Sequence, residues 1–113
     1  MKTTALATIA SLAAAFAFAL PAAHAGEAHD VSAGARLVKE HSCFTCHAMD
    51  GTKVGPGFKQ IAAKFAAMGE DKGEEALEGD VHAGVQGSAM PANPSLSKAE
   101  LDEVADWILS LKK

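Results

Sequence analysis

The segment SCFTCHAMDG, Ser42 to Gly51, contains both cysteines of a 113-residue chain, and a histidine follows the second. A disulfide between Cys43 and Cys46 would close a tiny loop and remove little entropy from the unfolded chain, so it cannot staple the fold. A staple is nevertheless required. With one Trp, no Tyr and five Phe in the whole chain, little large apolar surface is available for a core, and domains near this size are marginal without extra help. Whatever Cys43, Cys46 and His47 bind must therefore also complete the interior.

The working protein is expected to be shorter than the chain. Lys2 gives a short basic start, ALATIASLAAAFAFAL then runs without a charge, and AHA (Ala23 to Ala25) places small residues before Gly26. The apolar run falls short of the ~20 residues that span a bilayer and ends at Pro21, so it reads as a cleaved export signal over residues 1–25. Residues 26–113 then form one domain, too short for a second. Removing Lys2 leaves nine Lys and Arg against 14 acids, a net charge of −5 with neutral histidines. That balance argues against a nucleic-acid partner, which calls for a basic patch.

The spacing of apolar residues predicts helices and no convincing strand. DVSAGARLVKEH sets Val31, Gly34, Ala35 and Val38 on one face, and GFKQIAAKFAAM does so with Phe58, Ile61, Ala62, Phe65 and Met68. EEALEGDVHAGV offers a thinner stripe of Leu77, Val81 and Val85, weakened by Gly79 and Gly84. Ser97 and Glu100 form an S-x-x-E capping box ahead of Leu101, Val104, Ala105, Ile108 and Leu111. The acid-rich run from Glu70 to Asp80 is expected to be a solvated helix start, where negative charge is electrostatically favoured.

Three chemistries use two cysteines at this spacing: a thiol redox pair, half of a zinc site, and covalent haem attachment. A redox pair belongs at a helix start after a strand, and no parallel sheet can be assembled here. Zinc needs about four ligands; His29, His41 or His82 could join His47, but no second paired motif supports that. Haem attachment needs only what is present, two thiols to add across the porphyrin vinyl groups and an adjacent imidazole for the iron. An export signal strengthens this reading, because such attachment is completed outside the bacterial cytosol. A large, flat, mostly apolar haem would also supply the missing interior, at ~25 cal/mol per Å² of apolar surface. Cofactor and staple are then one object.

A second axial ligand is sought among the methionines. Met1 leaves with the signal, Met49 is too close to His47 to reach the opposite face, and Met68 continues a helical stripe as a core residue. Met90 lies in GSAMPANPS, a Gly- and Pro-punctuated loop 43 residues after His47, with no periodicity to explain it. It is the expected distal ligand. His82, among small and polar residues, is expected to be solvated.

At this point CFTCHAMDGTKVGPGFKQIAAKF, MPANPSLS and ELDEVADWILSLKK together resemble the short bacterial class I c-type cytochromes of the five-fifty-one type, over about residues 30–113. The resemblance implies an all-α fold, about four helices wrapped around one covalently bound haem c, with Cys43 and Cys46 as thioether sites and His47 and Met90 as iron ligands. It further implies that Pro56 presents its carbonyl to the His47 imidazole, that Gly34 marks a close crossing of the first and last helices, and that Trp107 lies near the haem edge. The distal loop departs from the pattern: only Ser88 and Ala89 separate GVQG from MP, where relatives often carry a longer stretch with a tryptophan. With both axial positions filled, no site for a substrate remains. The implied function is a monomeric periplasmic one-electron carrier between a quinol-oxidising complex and a terminal oxidase or reductase, or between photosynthetic complexes, and not an enzyme. Val54, Ala89, Pro91 and Ala92, flanked by Lys53 and Lys59, are the expected docking surface for such redox partners.

Overall fold

The computed structural model describes residues 31–112; the expected signal, its cut before Gly26, and His29 lie outside them. The described chain forms helix α1 (Val31–Glu40), a 3₁₀ turn (Cys43–Thr45), and helices α2 (Phe58–Ala66), α3 (Glu70–Ala83) and α4 (Lys98–Ser110). No strand occurs among the described residues. The expected all-α class with four helices holds.

Helix α4 is the element on which the others rest, packing against α1, α2 and α3. Its start follows from local chemistry. The Glu100 amide donates to the Ser97 hydroxyl at 3.2 Å, and the Ser97 amide donates to the Glu100 carboxylate at 2.8 Å. These two bonds satisfy amides that a helix terminus leaves unpaired. The Ser97 amide, and after it the Ser97 side chain, also hold the Glu100 carboxyl below its ordinary pKa. Leu101, Val104, Ala105 and Ile108 are buried, as their spacing requires.

Three of the expected apolar stripes are revised at their ends. In α1 the buried residues are Gly34, Leu37 and Val38, while Val31 is exposed and Ala35 half-buried. The face is centred on the α4 crossing at Gly34, and its neighbours three and four residues on are the ones covered. In α2, Phe58, Ala62 and Phe65 are buried, but the helix stops at Ala66 and Met68 beyond it is 47% exposed. Met68 is thus a surface residue and not core. Helix α3 begins four residues before the apolar stripe suggested and ends at Ala83, leaving Val85 exposed beyond a turn at Gly84.

The acid-rich run is also not wholly solvated. The side chain of Glu78 is only 9% exposed and accepts from the Lys98 ammonium at 2.8 Å, while Lys98 also pairs with Asp102. Burial raises the Glu78 pKa and Asp102 adds to that, with Lys98 acting in the opposite sense. This ties the middle of α3 to the start of α4.

At the α1–α4 crossing a Cβ on Gly34 would stand 2.1 Å from the Glu103 carbonyl oxygen and 2.5 Å from the Trp107 Cβ. Both obstacles lie on or next to backbone and cannot swing aside. Gly79, on an exposed part of α3, would meet nothing within 4 Å. Gly34→Ala is therefore expected to lower unfolding stability by about 3 kcal/mol through overpacking, and Gly79→Ala to raise it by about 0.5–1 kcal/mol. Denaturant titration of the two variants checks both signs.

Candidate haem-binding site

The turn after α1 sets the two cysteines. Ser42 adopts a left-handed conformation with φ 59°, which reverses the chain into the 3₁₀ turn. The Cys46 and His47 amides both donate to the Cys43 carbonyl, at 3.1 and 3.0 Å. The following loop then folds back on this turn through main-chain bonds: Gly55 to the Cys46 carbonyl at 2.8 Å, Phe58 to Ala48 at 2.8 Å and Lys59 to Met49 at 3.1 Å. The Lys53 ammonium adds a bond to the Phe44 carbonyl at 3.1 Å. An irregular stretch is thus pinned without secondary structure of its own.

This folding brings Pro56 to His47. The imidazole Nδ1 lies 2.7 Å from the Pro56 carbonyl oxygen. A carbonyl only accepts, so Nδ1 carries the proton and Nε2 keeps a free lone pair. Such a partner fixes ring orientation and makes the free nitrogen a better ligand. The Phe58 ring sits 5.3 Å from the imidazole, centre to centre, and helps confine it.

One cavity of about 540 Å³ opens beside these groups, within the roughly 300–1,000 Å³ of ordinary small-molecule and cofactor sites. Cys43, Cys46, His47 and Pro56 line it from one part of the chain, Met90 from another, and Phe58, Ile61, Phe65, Leu77, Val81, Val104 and Ile108 supply apolar walls from three helices. All five expected site residues therefore meet at one place. Met49 and Met68 do not line the cavity, and neither does His82, which is exposed. Trp107 is absent from the lining as well; it packs edge-on against Phe58 at 5.1 Å and Phe44 at 6.3 Å. Its place is behind the wall, where it supports Phe58.

Met90 sits on a loop held by side chains that the sequence reading did not single out. The Asn93 amide group donates to the Val81 carbonyl at 3.0 Å and to the Pro91 carbonyl at 3.3 Å, and the Asn93 backbone amide donates to His82 at 3.0 Å. The Ser88 hydroxyl donates to Val85 at 2.7 Å and accepts from the Met90 amide at 3.2 Å. These bonds fasten the short distal loop to the end of α3. The signal that could have found Asn93 is its position between Pro91 and Pro94, since Asn side chains bond nearby backbone in turns.

The two thiols are not paired with each other. Burial pushes the Cys43 thiol above its ordinary pKa, and Cys46 adds to this against an opposing backbone hydrogen bond. Reactive thiol pairs need the reverse, a lowered pKa. Among the described residues, the group of three or more acidic, His or Cys side chains close enough to share an ion is Glu74, Glu78 and Asp102, which contains none of Cys43, Cys46 and His47. The raised Cys43 thiol runs against a reactive thiol pair, and the side-chain geometry gathers no zinc-like ligand set around Cys43, Cys46 and His47 among the described residues.

Helices wrapped about one apolar cavity, with two thiols and an oriented imidazole at its margin, define a protein that carries a single covalently held prosthetic group. The cytochrome c family model matches residues 31–112. The chain is 41% identical over 86 residues to cytochrome c-552 of Nitrosomonas europaea, spanning 71% of this chain and 80% of that one. It is 39% identical over 83 residues to cytochrome c-551 of Azotobacter vinelandii, spanning 70% of this chain and 98% of the relative. The crystal structure of the Nitrosomonas europaea cytochrome c552 superposes with a TM-score of 0.59, at 40% identity, over 69% of this chain and 99% of that one. The class 1 cytochrome MtoD of Sideroxydans lithotrophicus gives a TM-score of 0.63 at 33% identity, over 74% and 98%. The chain belongs to the cytochrome c family. It is a small electron-carrier cytochrome with one covalently attached haem c, not an enzyme.

Gly55 packs closely against the imidazole. A Cβ there would lie 2.6 Å from Cε1 of His47 and 3.0 Å from Nδ1. Gly55→Ala is expected to push the ring off Pro56 and to cost about 1–3 kcal/mol of stability. Thermal unfolding and the His47 ring resonances in NMR report the two effects together.

Proposed function

We propose that Cys43 and Cys46 carry the haem as thioethers, that His47 and Met90 ligate its iron, and that the protein shuttles electrons in the periplasm after cleavage before Gly26. The observation that carries the ligand assignment is the meeting of all four side chains at one cavity, with Nδ1 of His47 held by Pro56. The haem iron supplies one-electron exchange between Fe(II) and Fe(III). The chain's own residues tune and protect that exchange. His47 keeps one orientation, the Met90 thioether favours ferrous iron and so raises the potential, and the walls from α2, α3 and α4 keep water out. With His47 and Met90 each on a fastened segment, both would be held in place for the iron in either oxidation state. Export is supported by the leader sequence; no helix among the described residues is long and apolar enough to cross a membrane.

Met90→Ala is expected to abolish the weak sulfur-to-iron charge-transfer band of the ferric protein and to lower the midpoint potential. Met68→Ala, at an exposed position, should leave the band intact and alter stability by less than about 0.5 kcal/mol. A band that survives in the Met90 variant would reject the assignment.

The partners we propose are a quinol-oxidising complex and a terminal oxidase or reductase, met by a monomer. The docking surface proposed is the exposed rim of the cavity. Val54 is 62% exposed and, with Ala89 and Pro91, combines exposure with a place in the cavity lining; Ala92 is exposed nearby in the chain. Lys59, which flanks this surface in sequence, is paired with Asp50 at 3.1 Å, so its charge is partly offset. Such a surface suits brief contacts of small area. Val54→Asp should slow transfer to the native partner by about tenfold, equivalent to about 1.4 kcal/mol. The double change Glu74→Gln with Glu75→Gln, on the acidic helix, should alter it less than about twofold at physiological salt. Stopped-flow kinetics decide between them, and a slower acidic variant would place docking on α3.

A further inference from the structure

Two side chains of opposite formal charge, Lys64 on α2 and Asp80 on α3, stand among the residues lining the cavity. Asp80 departs from the pattern of its surroundings. It is half-buried next to Val81 and three residues from Leu77, both buried walls of the same cavity, whereas Glu75 on the same helix is exposed and does not line it. Lys64 is exposed, its ammonium 5.0 Å from the centre of the Phe65 ring, and Phe65 is itself a buried cavity wall. His41 and His47 are the further titratable side chains other than the cysteines in the lining.

We infer that Asp80 and Lys64 act as an opposed pair of fixed charges that set the reduction potential of this cytochrome. The inference rests on the reading of this cavity as the haem site. Its physical basis is Coulombic. Gaining an electron lowers the charge of the iron by one unit, so a nearby carboxylate stabilises the ferric form and a nearby ammonium the ferrous form. Low-dielectric walls preserve such interactions better than open solvent, and half-buried charges are screened less by salt than exposed ones. Haem c itself brings two carboxylates. Asp80 is half-buried whereas Lys64 is exposed and more screened, so neutralising Asp80 is the larger lever. Neither residue is a ligand; both act at a distance and are positioning charges.

The test is redox titration of the holoprotein at neutral pH and moderate salt. Asp80→Asn should raise the midpoint potential, increasing the reduced-to-oxidised ratio at fixed applied potential at least about threefold. Lys64→Gln should lower that ratio, and the double variant should return towards wild type. Asp80→Glu, which keeps the charge, should match wild type, and Glu75→Gln should leave the potential unchanged. An Asp80→Asn potential equal to that of Glu75→Gln, or an Asp80→Glu shift as large as that of Asp80→Asn, overturns the inference. The ferric charge-transfer band is recorded for every variant. An intact band with an unmoved potential rejects the charge pair alone, whereas the ligand assignment falls only if the band persists without Met90.

Discussion

The close crossing of α1 and α4 at Gly34 is the constraint on which the rest of this structure depends. A hydrogen in place of a side chain lets the α1 backbone approach the Glu103 carbonyl and the Trp107 Cβ. That contact holds α1 against α4, and the cysteine turn follows a few residues on, where Ser42 reverses the chain. It also fixes Trp107 against Phe58, which in turn lies 5.3 Å from the His47 ring. A packing fact about two helices thus reaches a candidate iron ligand through two aromatic contacts. In a chain with so few aromatic residues, Phe44, Phe58 and Trp107 pack edge-on against one another behind His47.

The site is otherwise held by polar bonds in irregular backbone. On one side the loop after Cys46 is tied down by main-chain bonds and by Lys53, and it delivers the Pro56 carbonyl to His47. On the other, Ser88 and Asn93 fasten the short distal loop to the end of α3. Rigidity of this kind suits an electron carrier, because every displacement on changing oxidation state adds to the barrier for transfer. The apolar walls contribute in a second way. They leave Asp80 and Lys64 as conspicuous charges beside the cavity.

Much of this was legible from residue order alone. The C-x-x-C-H string needs five consecutive positions, and local chemistry decides what such a string can bind. The capping box at Ser97 and the stripe behind it are likewise local, and the structure reproduces both. Met90 could be singled out because an apolar residue in a Gly- and Pro-rich loop has no packing role to absorb it. Stripe ends were less legible. Met68 and Val85 keep the helical spacing in sequence, yet the helices stop at Ala66 and Ala83, so both residues turn outward. Periodicity describes a face and does not say where its partner ends.

The sequence by itself determined the chemistry: which atoms can bond a haem, that the chain is helical, and that its own core is poor in large aromatic residues. Only the tertiary structure decided which of the outlying groups matter. Glu78 and Asp80 belong to one acidic run and look equally solvated in sequence, but helix phase and the arrival of α4 bury Glu78 against Lys98 and place Asp80 in the cavity wall. Asn93 gains its role because α3 ends beside it, and Gly55 because His47 rises against it. Local sequence sets what a side chain can do; its neighbours, brought in from distant segments, set its surroundings and hence its energy.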